Sequence, residues 1–399
     1  MVVYKYIRGQ QKMIRKNKGK LITIGVLLVL LIILLIFRST SSMSDFFALN
    51  ISSFLVKIIG SISNLIPFSL FEIVLVIIVS IALFLLIKLI IYSIKRNKDK
   101  LFRYFIFISL FSLILIDSFI SLCGVCYQRS EIELPFYEGE VTTNLIDDTI
   151  DYYLKDYNQL SLSFEKDEKG VSKCPYSFKD LAKIMMDECD RLDQFNYYYD
   201  FTARPKATWL SFILNELQIT GIDFPFTAEA NINYQMPSID IPFTMAHEIA
   251  HLKGVMREDD ANTVALYICI TSNIPYVRYS GYFRGFSRLL EIKAFTNRKE
   301  YLELLPKISS QISKDNNDYY SFFEEHDLLD DISTFFNDLY LSLNGEKDGT
   351  DSYDDVSQSR PTGEVDKNGY EIREYTSYSP YQKLLIQNYI NSKKGAVKK

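Results

Sequence analysis

Hydrophobic positions are spread very unevenly along this chain. The first third holds long unbroken apolar runs, whereas the remainder mixes apolar and polar positions as globular sequence does. Three runs approach the ~20 residues needed to cross about 30 Å of hydrocarbon. They predict transmembrane helices near residues 21–37, 70–93 and 104–125, in a membrane module at 21–126 that follows a basic N-terminus at 1–20. A cleavable signal peptide is a poor reading of the first run, because no small-residue cleavage site follows it and further spans do.

After an extended connector at 127–140, the period becomes helical. Leu145, Ile146, Ile150, Tyr153, Leu154 and Tyr157 recur at helix spacing, as do Phe178, Leu181, Ile184, Met185, Cys189 and Leu192. Ser177 is placed to cap the second of these helices. The apolar segment 207–217, which includes Trp209, reads as core. Residues 219–233, with Gly221, Pro225 and alternating apolar positions, predict a strand and turn. Pro242 suits a first helical position, and Gly254 suits the left-handed residue that ends that helix. A second helix is expected from Glu258 to Ser272, stopped by Pro275. Helical patterns continue to Leu343. The polar stretch 344–374 reads as a linker or loop, and 375–399 as a closing helix from Ser379–Pro380. The expected fold class is mainly α: three N-terminal transmembrane helices, then a mostly helical domain at 127–343 with a small strand element.

Charge gives the apolar runs a direction. Lys5, Arg8, Lys12, Arg15, Lys16, Lys18 and Lys20 precede the first run, and Lys95, Arg96, Lys98, Lys100 and Arg103 separate the second from the third. The first loop, 39–66, carries only Lys57. Basic loops stay inside, so the N-terminus is expected in the cytoplasm and the C-terminal domain outside, in a multi-pass cell-membrane protein. The formal net charge of −5 provides no field for nucleic acid. Five cysteines make no disulfide framework; Cys123 and Cys126, a CxxC pair, read as the apolar end of a span, with a redox role as the alternative. Of the charges inside the runs, Glu72 lies near an outer end and Lys88 can snorkel, which leaves Asp117 as the odd one.

The segment IPFTMAHEIAHLKGVMREDDAN, 241–262, carries the candidate chemistry. Histidines four apart on a helix share one face, so His247 and His251 can reach one ion. Glu248 then projects beside that ion, where it can take a proton from metal-bound water and pass it to a leaving amine. Two of the chain's three histidines fall in this motif. A catalytic zinc wants a third protein ligand. Glu258, opening the next helix, is the choice, with Asp259 and Asp260 as competitors. The plainer role for this acidic trio, charge favourably placed at a helix N-terminus, is compatible with ligation. Tyr279, Tyr282 and Arg278 are candidate oxyanion donors, although among 28 tyrosines packing is the commoner role. Glu229 and Asn231 are candidates for a substrate-facing strand. His326, in an acidic run, reads as a solvated helix residue.

The run His247-Glu248-x-x-His251-x-x-Gly254 resembles the zincin signature, and its glycine resembles the metzincin extension. It departs from metzincins at Arg257, where they carry His or Asp, and from most Glu-type zincins, whose third ligand lies much further along. Glu258, Ala261 and Asn262 form an ExxAN pattern similar to the third-ligand helix of several Glu-type zincins. That resemblance implies Glu258 as ligand and Asn262 as a residue that holds a histidine or ligand in orientation. A closer likeness is to an uncharacterised bacterial family of three-span membrane proteins, a domain of unknown function, whose members look like HExxHxxGxxxExxAN here. The likeness takes in Pro67–Ser69, Pro225–Asn233 and Tyr276–Tyr282. It implies a zinc-dependent hydrolase and supplies no substrate.

The expected function is extracytoplasmic peptide-bond hydrolysis by a membrane-anchored zinc metallopeptidase. Zn2+ is the expected cofactor, held by His247, His251 and Glu258, with Glu248 as the base. Expected partners are the lipid bilayer and a peptide or protein substrate, cell-wall peptide among them, with no nucleic acid. The alternative is a non-catalytic metal-binding membrane receptor or regulatory protein, which has no need of Glu248 beside the metal. Proteolysis within the bilayer fails on hydropathy, because Lys253, Arg257, Glu258, Asp259 and Asp260 follow the histidines closely.

Overall fold

Unbroken runs of Leu, Ile and Val have no polar side chains to satisfy their backbone, so they form helices. In the computed structural model, which describes residues 11, 13–346, 357–365, 367 and 369–396, the apolar third folds as α1 (Lys18–Phe37), α2 (Ser41–Phe47), α3 (Ser53–Asn64), α4 (Phe71–Ile94) and α5 (Lys98–Leu122). The last starts six residues before the expected position 104, because Asn97 caps it by accepting from the Lys100 N–H at 3.1 Å. α1 and α5 run parallel. Lys20 lies 4.0 Å over the Phe107 ring near their N-terminal ends, and Leu34 packs with Ile120 near their C-terminal ends. α4 and α5 form an antiparallel hairpin, where Tyr92 stacks on Tyr104 with centroids 5.3 Å apart.

Among the described residues, four stretches are long and apolar enough to cross a membrane, the fourth being Ser41–Asn64. The sequence reading expects a loop there. Instead α2 and α3 join through a π turn at Ala48–Ser52. Polar residues interrupt the run, so helix periodicity and not an unbroken apolar stretch marks it. Ala48 and Val56 enter the core of the C-terminal domain, while Phe54, Ile58 and Ile62 stay exposed.

The C-terminal domain is built from α6 (Thr143–Ser163), α7 (Phe178–Cys189), α8 (Ser211–Glu216), α9 (Ile241–Leu252), α10 (Glu258–Ile270), α11 (Pro275–Thr296), α12 (Arg298–Leu304), α13 (Ser310–Glu325), α14 (Asp330–Asn344) and α15 (Pro380–Ala396). Ser177 accepts from the Asp180 N–H at 3.2 Å and caps α7. Every residue of α9 except His247 is buried, so this helix is held on all sides. Beside it lies a small sheet of β1 (Lys206–Ala207), β2 (Gly221–Phe224) and β3 (Glu229–Ile232), ordered β1-β3-β2. β1 runs parallel to β3, and β2 is antiparallel to it, with Gly221 opposite Ile232. β2 is therefore an edge strand.

The polar stretch expected to be a linker holds a hairpin, β4 (Gln358–Val365) with β5 (Glu371–Ser377). Residues 347–356, 366 and 368 of that stretch lie outside the described residues. The pairing uses polar cross-strand contacts, such as Arg360 to Glu374 at 2.8 Å. It therefore lacks the alternation of apolar residues that announces a strand.

A buried polar knot joins the sheet to the apolar helices. Glu229 forms an ion pair with Lys206 and accepts from Ser63 Oγ at 2.6 Å. It also accepts from the Leu70 and Phe71 N–H groups, each at 2.9 Å, so its carboxylate caps α4 at the positive end of the helix dipole. Ser69 Oγ donates to Asn231 Oδ1 at 2.8 Å. Both residues proposed for a substrate-facing strand thus face this junction, a correction set by partners far off in sequence. Trp209 is corrected likewise: its segment buries Thr208, Ser211 and Leu214, whereas Trp209 is exposed and stacks on Phe68 at 5.7 Å, beside the start of α4.

Candidate metal centre

Two consecutive helices build the site. Pro242 is the second residue of α9, and Gly254, at φ +91°, follows its end in the left-handed conformation that glycine adopts without strain. That turn brings the Val255 carbonyl 2.7 Å from His251 Nδ1. A carbonyl can only accept, so Nδ1 carries a proton and Nε2 is the nitrogen turned toward the Glu258 carboxylate, where an ion would take the place of any second proton. His247 Nε2 and His251 Nε2 lie 2.9 Å apart. Glu258, the first residue of α10, brings Oε2 to 3.2 Å and 3.5 Å from these two nitrogens.

Three atoms of ligand type thus converge. Four-coordinate zinc, with bonds of about 2.0–2.2 Å, sets its ligand atoms roughly 3.3–3.6 Å apart, close to the observed edges. Glu258 Oε2 is buried and has no hydrogen-bond partner, an orphan that a cation would satisfy. The residues present therefore fit zinc. Burial alone would raise the Glu258 carboxyl, but the His251 and His247 rings hold it well below the usual range. Burial would lower His251, yet the Glu258, Asp223 and Glu248 carboxylates raise it well above an ordinary imidazole. His247 is pushed down by burial and by the His251 charge.

The competitors for the third position turn elsewhere. Asp260 pairs with Arg257 at 2.5 Å, and burial pushes it up to about 6 against that pairing. Asp259 accepts from the Asp260 N–H at 2.7 Å and is exposed. Asn262 sits one turn beyond Glu258 on α10.

Glu248 points to the edge strand, and Gly221 makes room for it. A Cβ at position 221 would stand 2.4 Å from Glu248 Oε1. The Glu248 carboxylate accepts from the Asp223 backbone N–H. Burial pushes this carboxyl well above its ordinary range; the His251 charge opposes the shift, and Asp223 and Glu258 add to it. Replacing Gly221 by Ala is expected to displace the carboxylate by about 1 Å, leave bound zinc unchanged, and lower any hydrolytic rate on the order of a hundredfold. Parallel zinc content and initial rates check this; an unchanged rate removes Gly221 from the site's construction.

Sequence reasoning missed two residues here. Asp223 on β2 offers an oxygen within 4.8 Å of ligand atoms of Glu248 and His251, and the alternation of β2 was the available signal. Tyr340 on α14 lines the same cleft, a space of about 650 Å³ bounded by β2, α9, α14 and Phe119 of α5. Tyr127 Oη donates to Tyr340 Oη at 2.9 Å, which leaves the Tyr340 proton to donate into the cleft. Tyr340 is 37% exposed, and a phenol, protonated at neutral pH, is a donor there. No local pattern marked Tyr340.

The expected oxyanion donors do not reach the cleft, a correction. Tyr279 donates to Asp315 Oδ2 at 2.6 Å, fixed in an aromatic cluster with Tyr157 and Phe164. Tyr282 and Arg278 both bind Asp156. These three lie on α11, which packs against α6. His326 Nδ1 binds the Phe322 carbonyl at 2.8 Å. The Cys123 and Cys126 thiols are free and buried, with Cys126 Sγ 3.0 Å from Tyr199 Oη.

Fold and site together define a mainly helical protein with helices apolar enough for a membrane, and with a His-His-Glu cluster at metal-ligand spacing. Residues 47–358 match the family described as "Protein of unknown function (DUF3810)", and the chain belongs to that family. No curated protein and no solved structure matches it.

Proposed function

We propose that this chain is a membrane-anchored zinc metallopeptidase that hydrolyses peptide bonds on the extracytoplasmic side. The observation that carries the proposal is the convergence of His247 Nε2, His251 Nε2 and the orphaned Glu258 Oε2, with Glu248 alongside. Zinc, when bound, supplies a Lewis acid that lowers the pKa of bound water from 15.7 toward about 7. Glu248 accepts the proton of the attacking water and returns it to the leaving amine. β2 presents its edge to an extended peptide, which can pair with it as an added strand, and Tyr340 donates to the developing oxyanion.

The parallel course of α1 and α5, with α4 antiparallel to both, supports three spans. A fourth crossing by Ser41–Asn64 would make α1 and α5 antiparallel. That segment instead packs Ala48 and Val56 into the core of the C-terminal domain. Lys95, Arg96, Lys98, Lys100 and Arg103 at the α4–α5 turn, with the basic N-terminus, favour a cytoplasmic location for that end.

Full-length protein purified in detergent is expected to hold about one zinc per chain and to cleave unstructured peptides, with both properties lost to chelator and restored by zinc. A chain that binds no zinc after reconstitution overturns the proposal. Glu258→Ala should weaken zinc affinity by more than the about 10–100-fold typical of losing an outer-shell partner, whereas Asp259→Ala should change it little. Competition with a zinc-binding dye reads both, and the reverse order would move the third ligand to Asp259.

A further inference from the structure

α14 carries Ile332, Phe335, Phe336, Leu339 and Leu343 on one stripe, each between 47% and 72% exposed. A contiguous apolar surface of this kind marks an interface, and its position decides which one. The C-terminal end of α14 is tied to the outer ends of two apolar helices. Arg38, the residue after α1, donates to the Asn344 carbonyl at 2.6 Å. Phe119, in the last turn of α5, meets Tyr340 edge-on at 6.1 Å.

Two further exposed apolar features stand at the ends of the same helices. Trp209 and Phe212 are exposed, and Trp209 stacks on Phe68 just ahead of α4. Phe54, Ile58 and Ile62 form the open face of α3, which with α2 links α1 to α4. All three features border helices that the proposed function sets across the bilayer. That continuity selects lipid as the occupant over a second protein, and a tryptophan ring suits such a boundary. Ile332 and Phe336 belong both to the stripe and to the lining of the metal cleft, as Phe119 of α5 does to the lining. The cleft and the apolar surface are one continuous surface.

We propose that α14, the open face of α3 and Trp209 rest on the outer surface of the bilayer. The cleft then opens at the lipid–water boundary, and its substrate is the extracytoplasmic segment of a membrane-anchored polypeptide, close to the anchor. The substrate half rests on the peptidase reading; the docking half needs only the spans.

The chain's single tryptophan, Trp209, makes docking measurable. The full chain is reconstituted in phosphatidylcholine–phosphatidylglycerol vesicles whose acyl chains carry bromine at shallow or deep positions. Trp209 emission should be quenched most by shallow bromine and shielded from aqueous acrylamide. Trp209→Phe combined with Phe335→Trp should behave the same and reports on α14. Emission at position 335 that acrylamide quenches and bromolipid does not overturns docking.

In the same vesicles, cleavage of one peptide is compared free and fused to a membrane anchor. Wild type should favour the anchored form by about tenfold or more, the scale of burying one large apolar side chain. Phe335→Asp with Leu339→Asp should lose that preference and keep its rate on the free peptide. Equal rates on both forms by wild type overturn the substrate class. Cleavage of neither form refutes the peptidase reading and the substrate class with it, while the fluorescence result still decides docking.

Discussion

Glu248→Gln is expected to leave zinc content and fold unchanged and to lower peptide hydrolysis by about 10²–10⁴-fold, the range contributed by a positioned general base. The amide has the carboxylate's length and shape, so it still fits the space that Gly221 leaves. Its carbonyl oxygen can still accept from the Asp223 N–H that holds Glu248 in place. What it cannot do is take a proton from water. None of the three converging ligand atoms belongs to residue 248, so metal affinity should barely move. The measurement pairs zinc content with single-turnover rates on one fluorogenic peptide. A variant that keeps a tenth or more of the wild-type rate removes Glu248 as the base. A variant that loses zinc as well makes Glu248 a ligand and points to its grouping with Asp223 and His251. If zinc is bound and wild type has no activity on any peptide, the receptor reading gains.

Much of this site is legible in sequence because its geometry is local. His247 and His251 share a face by helix period alone, Glu248 adjoins them, and Gly254 ends the helix close enough for Val255 to orient His251. Glu258 follows because the chain turns back at once into α10. The residues that escaped detection act across distance. Tyr340 reaches the cleft from α14, held there by Tyr127 and Phe119. Tyr279 looked suitable by sequence position, yet its helix faces Asp315 and α6. In the fold, unbroken apolar runs mark α1, α4 and α5 plainly. The α2–α3 segment hides its helix behind interspersed serines and one lysine. The β4–β5 hairpin hides because polar pairs, with no apolar face, hold it.

The largest stability effect should come from Glu229, a candidate by sequence for a substrate-facing strand that the structure ties to α4 instead. Glu229→Ala strands the Lys206 ammonium, which is 2% exposed, with no counter-charge. It also frees the Leu70 and Phe71 N–H groups and the Ser63 hydroxyl from their acceptor. Breaking one side of a buried ion pair costs about 3–5 kcal/mol. Denaturation in detergent micelles, followed through Trp209 stacked on Phe68 at this same junction, reads the loss; a change below about 1 kcal/mol would show that the pair is solvated. Replacing both partners, Lys206→Met with Glu229→Leu, removes the uncompensated charge and should recover most of the stability, although the α4 N-terminus still lacks its cap. The same variant separates anchoring from chemistry. β3 pairs with β2, and β2 supports Glu248 through Gly221 and Asp223. Glu229→Ala should therefore lower hydrolysis at temperatures where the helices and the bound zinc persist, and the doubly apolar variant should restore it. Restored stability without restored hydrolysis would mean that α4's cap, and not the ion pair, sets the register of the sheet against the metal helix.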